Sequence, residues 1–235
     1  MKTFYTLITI FVISFTTFAQ KDTITSSTYA RGGMGYFILG TGQLDFNNIN
    51  KELWVNGYPE LKENFISFGG GGHFQINRII IGGEGQGFMA SKAANKDFST
   101  YGSGGCGFLN IGLAIYQKNK FSSYALLGLG GGGYSIDISE NGDADFEDIM
   151  EGNFKQIHLT GGGFLMNFSI GTDFIAFGKI TNNEVGGFSI GLRIGYTLDL
   201  TNSWSTKNQT INNMPNTQMS GAFIKLLIGG GGFVK

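Results

Sequence analysis

Residues 187–198 constrain the fold more than any other stretch of this sequence. Each even position, from Phe188 to Leu198, is bulky and apolar, and each odd position, from Gly187 to Thr197, is glycine or polar. A period of two residues predicts a β-strand with two unlike faces, because successive side chains point to opposite sides of a sheet. One face carries only large apolar side chains, and the other carries small residues around Arg193. We therefore interpret the apolar face as facing lipid.

The same alternation divides the rest of the chain into further predicted strands. The eight strands span Tyr29–Leu39, Phe65–Ile76, Ile79–Ala90, Ser99–Tyr116, Phe121–Ile138, Gln156–Phe177, Gly187–Leu198 and Gly221–Val234. Long connections follow strands 1, 3, 5 and 7, and short turns follow strands 2 and 4. The turn after strand 6 lies between Gly171 and Glu184, and the alternation does not place it more closely. An even number of antiparallel strands closes into a barrel without free edges. The predicted fold class is therefore all-β, an eight-stranded antiparallel up-and-down transmembrane β-barrel.

The first long connection, residues 41–64, is predicted to contain a short helix. Asn48 is its candidate N-cap, Ile49 and Leu53 lie four residues apart on one face, and Gly57 follows its end. This loop should therefore have a structure of its own.

The N-terminal residues are typical of a secretory signal. Lys2 precedes an apolar run that reaches Phe15, and Ala19 occupies the position before the expected cleavage at Gln20. A membrane helix needs about 20 apolar residues, and this run is shorter. We predict a signal peptide over residues 1–19 and an outer-membrane β-barrel domain over residues 20–235.

Composition excludes several classes of protein. The chain has 40 Gly, 2 Pro and only 14% charged residues, against about 25% charged residues in a typical soluble domain. The formal net charge of -1 provides no basic surface, so a nucleic-acid partner is not expected. The single Cys106 has no internal disulfide partner, and we expect it to fill space in a strand.

Taken together, these features resemble the small outer-membrane β-barrel family of Gram-negative bacteria, of the eight-stranded OmpA/OmpX-like type. The resemblance rests on the signal peptide, the eight alternating strands, the alternating loop lengths and the amphipathic last strand with Phe233 near its end. It implies location in the cell outer membrane, with outer-membrane lipid and the barrel insertion machinery as partners. The family's final residue is typically aromatic, whereas Val234 and Lys235 follow Phe233 here.

Strand parity assigns a set of polar side chains to the barrel lumen. Its charged members are Glu84, Asp137, Arg193 and Lys225, and its neutral members are His73, Gln75, Asn110, Ser135, Asn167, Ser169 and Ser189. Two acids and two bases in a narrow interior should pair, because an isolated buried charge is costly. The interior of an eight-stranded barrel is just wide enough for side chains. We therefore favour a plugged lumen, and a small porin-like channel is the alternative.

No constellation in the sequence indicates an enzyme, a metal site or a cofactor. The acidic loop 140–151 lacks the glycine and glutamate that an EF-hand frame starting at Asp143 requires. His73 and His158 have serines in the chain around them, but no local spacing ties either base to a nucleophile. We expect a protein with a mainly structural or surface-interaction role that has no catalytic activity.

The two tryptophans suggest where an extracellular partner would bind. Trp54 and Trp204 fall in long loops on the same predicted side, and barrel closure makes those loops neighbours. They would form an external aromatic surface. The alternative is that each ring covers its own loop or lies at the level of the lipid headgroups.

Two other architectures compete with the membrane barrel. A secreted soluble lipocalin-like barrel would turn its apolar face inward around a ligand, but its outer face should then be rich in charge. A glycine-rich self-assembling surface protein should show a repeat of fixed period, which this sequence lacks.

Overall fold

A computed structural model describes most of the chain after the predicted signal peptide. The described residues are 29–142, 146–151, 156–181, 183–201, 203–206, 209–211, 214 and 218–234. The predicted signal peptide over residues 1–19 lies outside the described residues, as do Asp143 and Lys235.

Among the described residues, eight long strands form the barrel, and two helices and three short strands lie in its connections. The barrel strands are β1 (Arg31–Gln43), β2 (Asn64–Ile76), β3 (Ile79–Ala90), β5 (Phe98–Lys118), β6 (Phe121–Glu140), β7 (Gln156–Ile180), β8 (Glu184–Asp199) and β11 (Gly221–Val234). The connections hold α1 (Asn47–Val55), β4 (Ala93–Ala94), α2 (Phe146–Glu151), β9 (Ser203–Thr206) and β10 (Gln209–Thr210). Neither helix among the described residues has the length and hydrophobicity needed to cross a membrane.

The eight long strands close into a ring. Each one pairs antiparallel with its neighbour along the chain, and the last strand, β11, pairs with the first, β1. Tyr36 of β1, for example, lies opposite Gly71 of β2 on one side and Gly229 of β11 on the other. This closure satisfies the backbone groups of both terminal strands and leaves the barrel without a free edge.

Short turns join the strands at one end of the barrel, here called the turn end. Asn77 between β2 and β3 has φ 53, and Asn119 between β5 and β6 has φ 55. Asparagine is among the few residues with a side chain that tolerate this left-handed conformation. The long connections lie at the opposite end, here called the loop end. The turn that the sequence left unplaced follows Ile180, so Phe174 and Phe177 belong to β7.

The outer face of the barrel is an apolar belt, defined here as the exposed large apolar side chains of the eight strands. Examples from successive strands are Phe37, Ile66, Ile81, Ile111, Leu129, Ile170, Ile194 and Ile224, each at least 43% exposed. The apolar face of residues 187–198 belongs to this belt, as predicted. In a soluble lipocalin-like barrel these side chains would point inward, and here they point outward.

The first long connection forms a cap over the loop end of the lumen. Helix α1 begins at Asn47 and Phe46 is its N-cap, so the prediction that Asn48 caps the helix was wrong. Ile49 and Leu53 of α1 are buried, as their spacing predicted. They join an apolar cluster that fills this end of the barrel, called the loop-end cluster: Leu44, Phe46, Ile49, Leu53, Leu61, Phe65, Phe88, Phe108, Tyr134, Ile136, Ile138, Leu165, Trp204 and Met219.

A second apolar cluster fills the turn end of the lumen. This turn-end cluster comprises Tyr29, Met34, Tyr36, Ile38, Ile175, Val185, Leu227 and Phe233. Tyr29 and Phe233 stack with ring centroids 4.9 Å apart, so the last strand is anchored to the start of the first. The charged side chains of the lumen lie between the two clusters, and the neutral side chains of Gln75 and Gln117 lie at the turn end, near Asn77.

Candidate functional site

A buried ion cluster occupies the middle of the lumen. The Glu84 carboxylate accepts hydrogen bonds from Arg193 Nη1 at its Oε2 and from Lys225 Nζ at its Oε1, the latter over 2.7 Å. All three side chains are about 1% exposed. Three of the four charged residues that the sequence assigned to the lumen therefore meet at one point.

The positions of the strands make this cluster a bridge across the barrel. In the ring order β1, β2, β3, β5, β6, β7, β8, β11, strand β3 and strand β8 stand four strands apart in either direction. Glu84 lies on β3 and Arg193 on β8, so their ion pair spans the full width of the lumen. Lys225 lies directly opposite Arg193 on the neighbouring strand β11. Two adjacent cations thus face one anion from across the barrel.

Two tyrosines extend the cluster to a second acid. Arg193 Nη2 lies 3.3 Å from the hydroxyl oxygens of both Tyr36 and Tyr124, and the guanidinium also stands over both rings at 5.4 and 5.6 Å. Tyr124 in turn donates to Asp173 Oδ1 over 3.2 Å. Asp173 is buried. The interior therefore holds two acids, Glu84 and Asp173, against the two bases.

Glycines at three lumen positions leave the space that these side chains occupy. A Cβ at Gly171 would stand 2.5 Å from the Tyr124 ring, and one at Gly191 would stand 2.1 Å from the Asp173 carboxylate. A Cβ at Gly71 would lie 2.9 Å from the ring of Tyr36. Real side chains do not approach this closely, so part of the unusual glycine content is explained by the bulk of the polar cluster.

Further polar side chains fill the lumen toward the turn end. Gln117 Nε2 donates to Gln75 Oε1 over 2.9 Å, and Gln75 Nε2 donates to the carbonyl of Asn77 over 2.5 Å. His73 packs against Tyr36 and Tyr124, with both ring-centroid distances at 5.9 Å. Of the predicted neutral lumen residues, all but Ser135 are buried: His73, Gln75, Asn110, Asn167, Ser169 and Ser189.

The sheet is closed, its exterior is apolar and its interior is polar and ion-paired. Together these three features identify the architecture. Only helices and closed barrels satisfy every backbone group within a bilayer, and an outward apolar face with a polar lumen is the pattern of outer-membrane barrels. The protein is a transmembrane β-barrel of the outer-membrane type. A cavity of about 30 Å³ lies beside Lys225, lined among others by Ser67 and Gln86, and it has room for roughly two water molecules.

Comparison of the sequence with known proteins finds no match. The chain matches no protein-family model and no curated protein. Among solved structures it is similar to Ail, the attachment invasion locus protein of Yersinia pestis, with 12% identity over 88% of this chain and 99% of Ail, and a TM-score of 0.41.

Two further solved structures give the same kind of match. The outer membrane protein OprG from Pseudomonas aeruginosa is 9% identical over 88% of this chain and 97% of its own, with a TM-score of 0.43. The outer membrane protease OmpT from Escherichia coli is 10% identical over 92% of this chain and 99% of its own, with a TM-score of 0.33. At these values, the assignment of the fold rests on this chain's own closed ring and apolar belt.

Asp137 does not face the lumen, and this prediction was wrong. Tyr134, Ile136 and Ile138 of β6 point inward into the loop-end cluster, so Ser135 and Asp137 point outward. Asp137 instead contacts His158 of β7. The second lumen acid is Asp173, which sequence reasoning missed because the predicted strand became uncertain beyond Gly171. Its parity, which it shares with Asn167 and Ser169, is the signal that would have identified it.

The predicted pair of external tryptophans is also corrected. Trp54, near the end of α1, is 71% exposed, whereas Trp204 on β9 is 6% exposed. The Trp204 ring points inward over Gly161, where a Cβ would stand 2.4 Å away, and it belongs to the loop-end cluster. Of the two tryptophans, Trp54 is therefore the one that is exposed at the loop end.

The described residues offer no obvious place for a metal ion. Within the part of the chain that the structure covers, no group of three or more His, Cys, Asp or Glu side chains converges. Cys106 is half-buried and accepts a hydrogen bond from Gln86 Nε2 over 3.4 Å beside the loop-end cluster.

Proposed function

We propose that this protein is an outer-membrane barrel with a sealed lumen, which acts through its outer surface and its long loops. The observation that carries the proposal is the ion pair between Glu84 and Arg193 across the full width of the barrel. A solute or hydrated ion would have to break this bridge, and breaking a buried ion pair costs about 3–5 kcal/mol.

The two apolar clusters support the same conclusion. A hydrated ion that passed the cluster of charges would still have to cross apolar side chains at both the loop end and the turn end. Apolar constrictions of this kind exclude water and stop conduction. The lumen therefore serves as a core that stabilises the barrel, and interaction with other molecules falls to the exterior.

The loop end is the part of the exterior that is best suited to meet a partner outside the cell. Its cap is held together by hydrogen bonds from Leu44 N to the carbonyl of Glu63 over 2.9 Å and from Asn50 Nδ2 to that of Leu61 over 3.1 Å. Ile49 and Leu53 pack the cap onto the barrel in the loop-end cluster. Trp54 and Val55 project from this fixed cap, more than 70% exposed. A rigid, partly apolar projection is suited to surface interaction.

Recording from planar lipid bilayers tests the sealed lumen. The wild-type protein, reconstituted beside a general porin as the positive control, should produce no stepwise conductance. Arg193→Ala serves as the diagnostic variant. Steady conductance of the wild-type protein, with ion selectivity that changes in Arg193→Ala, would establish the porin-like alternative and refute the sealed core.

A further inference from the structure

Basic side chains surround the turn end of the barrel. This basic ring, as the term is used here, consists of five cations in the short turns and at the strand ends beside them: Arg31, Arg78, Lys118, Lys120 and Lys179. Lys120 is half-buried and the other four are exposed. Among the described residues, none of the five takes part in an ion pair. In the described part of the turn end, Glu184 is the one exposed acid against these five bases.

The loop end has no such excess of cations. Residues 140–151 alone contain six acids and no base. The formal net charge of the whole chain is only -1, so positive and negative side chains are separated along the barrel axis. Charge separation of this kind attracts a different class of molecule to each end. A molecule that charge attracts to the turn end is therefore an anion.

A β-bulge directs Lys118 to the outer wall of the barrel. In β5 the even positions from Phe108 to Ala114 point inward, so an unbroken strand would point Lys118 into the lumen. The register against β6 shifts between Ala114 and Tyr116, after which Gln117 is buried and Lys118 is exposed. One extra residue in a strand reverses the faces of the residues that follow it.

A second bulge does the same for Lys179 in β7. The odd positions from Leu165 to Ile175 point inward, and Lys179 shares their parity. The register against β8 shifts between Ile175 and Phe177, after which both Phe177 and Lys179 are exposed. Two separate bulges thus each keep a lysine out of the apolar turn-end cluster and place it on the wall that faces the membrane.

Both lysines lie just beyond the edge of the apolar belt. Tyr116 is 43% exposed and Phe177 is 73% exposed, and each precedes its lysine by two residues. Exposed aromatic side chains mark the boundary of the hydrocarbon core in outer-membrane barrels. Two residues at about 3.3 Å each, on a strand tilted by about 40°, rise roughly 5 Å beyond that boundary. Each headgroup layer is about 5–8 Å thick, so the lysines lie within it.

Arg31 and Arg78 add two guanidinium groups at the same end. Arg31 lies opposite Ile76 on β2 and Val234 on β11, which are exposed residues of the belt, so its side chain also starts on the outer wall. Arg78 lies in the turn between β2 and β3 and is exposed. A guanidinium group binds two oxygens of a phosphate at once, and an ammonium group attracts a phosphate as a point charge.

We propose that the basic ring binds the phosphate groups of anionic phospholipids in the leaflet that surrounds the turn end. Its cations lie at the depth of the headgroups, and the phosphate of a phospholipid is the anion that this depth supplies. A zwitterionic lipid carries its own cation beside the phosphate, so the ring should favour lipids with a net negative charge. This binding is independent of the sealed lumen, and each proposal can fail without the other.

The expected preference follows from the effect of one charge. A basic residue near an anionic membrane surface contributes about 1 kcal/mol of attraction, which is about fivefold in affinity. A measurement that averages over all lipids around the barrel also counts those that touch no cation, so we expect a ratio of about two- to fivefold. At about 1 M salt the Debye length falls to about 3 Å, and most of the preference should disappear.

Spin-labelled lipids measure this preference. The folded protein is reconstituted in phosphatidylcholine vesicles that contain a trace of spin-labelled phosphatidylglycerol, and in matched vesicles with spin-labelled phosphatidylcholine. The fraction of each label whose motion the protein restricts gives the relative affinity of the two lipids for the barrel surface. The alternative is that the cations of the ring are only solvated, which predicts a ratio of one.

Two triple variants remove the same charge from opposite ends of the barrel. The ring variant combines Arg78→Gln, Lys118→Gln and Lys179→Gln, and the loop-end control combines three exposed lysines, Lys62→Gln, Lys92→Gln and Lys96→Gln. We expect the ring variant to lose more than half of the excess affinity for phosphatidylglycerol and the control to keep it. The shift in gel mobility between unheated and heated samples verifies that each variant is folded.

Three results would overturn the proposal. The first is a ratio of one for the wild-type protein at low salt. The second is a ring variant that is folded and keeps the ratio of the wild type. The third is a loop-end control that loses as much as the ring variant, because the preference would then come from the net charge of the protein and not from the basic ring.

Discussion

Replacing Glu84 with glutamine is the sharpest test of the bridge across the lumen. The substitution keeps the size of the side chain and removes its charge. Arg193 and Lys225, each about 1% exposed, would then share no carboxylate. Arg193 retains the hydroxyls of Tyr36 and Tyr124, and Lys225 retains the ring of Phe223 at 4.3 Å. These contacts only partly replace the lost anion.

The expected loss of stability is large for one isosteric change. Removing one partner of a buried ion pair costs about 3–5 kcal/mol, because it leaves an uncompensated charge in the interior. Lys225→Met should cost less, about 1.5–3 kcal/mol, the range for a hydrogen bond to a charged group, because Glu84 keeps its pair with Arg193. The double variant should cost less than the sum of the two single variants, since neighbouring residues couple.

Urea unfolding in detergent micelles measures these differences, with tryptophan fluorescence and gel mobility as independent probes. If the free energy of unfolding falls with urea concentration at the same slope in every variant, the variants differ in stability and not in the surface exposed on unfolding. The reasoning is refuted if Glu84→Gln lies within about 0.5 kcal/mol of the wild type, which is the range of an ordinary surface substitution. A larger loss in Lys225→Met than in Glu84→Gln would also refute it.

Two further predictions use matched pairs of residues. Gly171→Ala should destabilise the barrel by about 1–3 kcal/mol, because its Cβ would stand 2.5 Å from the Tyr124 ring. The control, Gly35→Ala, has no atom nearer than 3.9 Å to its Cβ and should change stability by less than about 0.5 kcal/mol. Equal effects of the two variants in urea unfolding would contradict this. In Trp54→Phe the remaining Trp204 should emit at short wavelength and resist quenching by acrylamide, and Trp204→Phe should leave a readily quenched emission from Trp54. Equal quenching of the two variants would contradict this difference in exposure.

Most of the barrel was predictable, because a strand with one face in lipid has a regular period. The predicted bounds of the third and eighth strands, Ile79–Ala90 and Gly221–Val234, are those of the structure. The prediction for β6 was wrong about Ser135 and Asp137, which were assigned to the lumen and point outward. Along β6 the even positions point inward throughout, from Tyr124 to Ile138. Beyond the belt, however, the outer wall is in polar surroundings and the inside is an apolar cap, so the rule of polar residues inward reverses.

The sequence by itself determined the class of fold, the eight strands, the ends that hold the long loops and the lumen position of Glu84, Arg193 and Lys225. These properties follow from period, parity and loop length, which are local. Only the tertiary structure decided that Glu84 faces Arg193 across the barrel and that Asp173 provides the second buried acid. It also decided that Asp137 instead joins His158 on the outer wall. Such contacts depend on ring closure and on strand register, and neither is encoded in the alternation of any single strand.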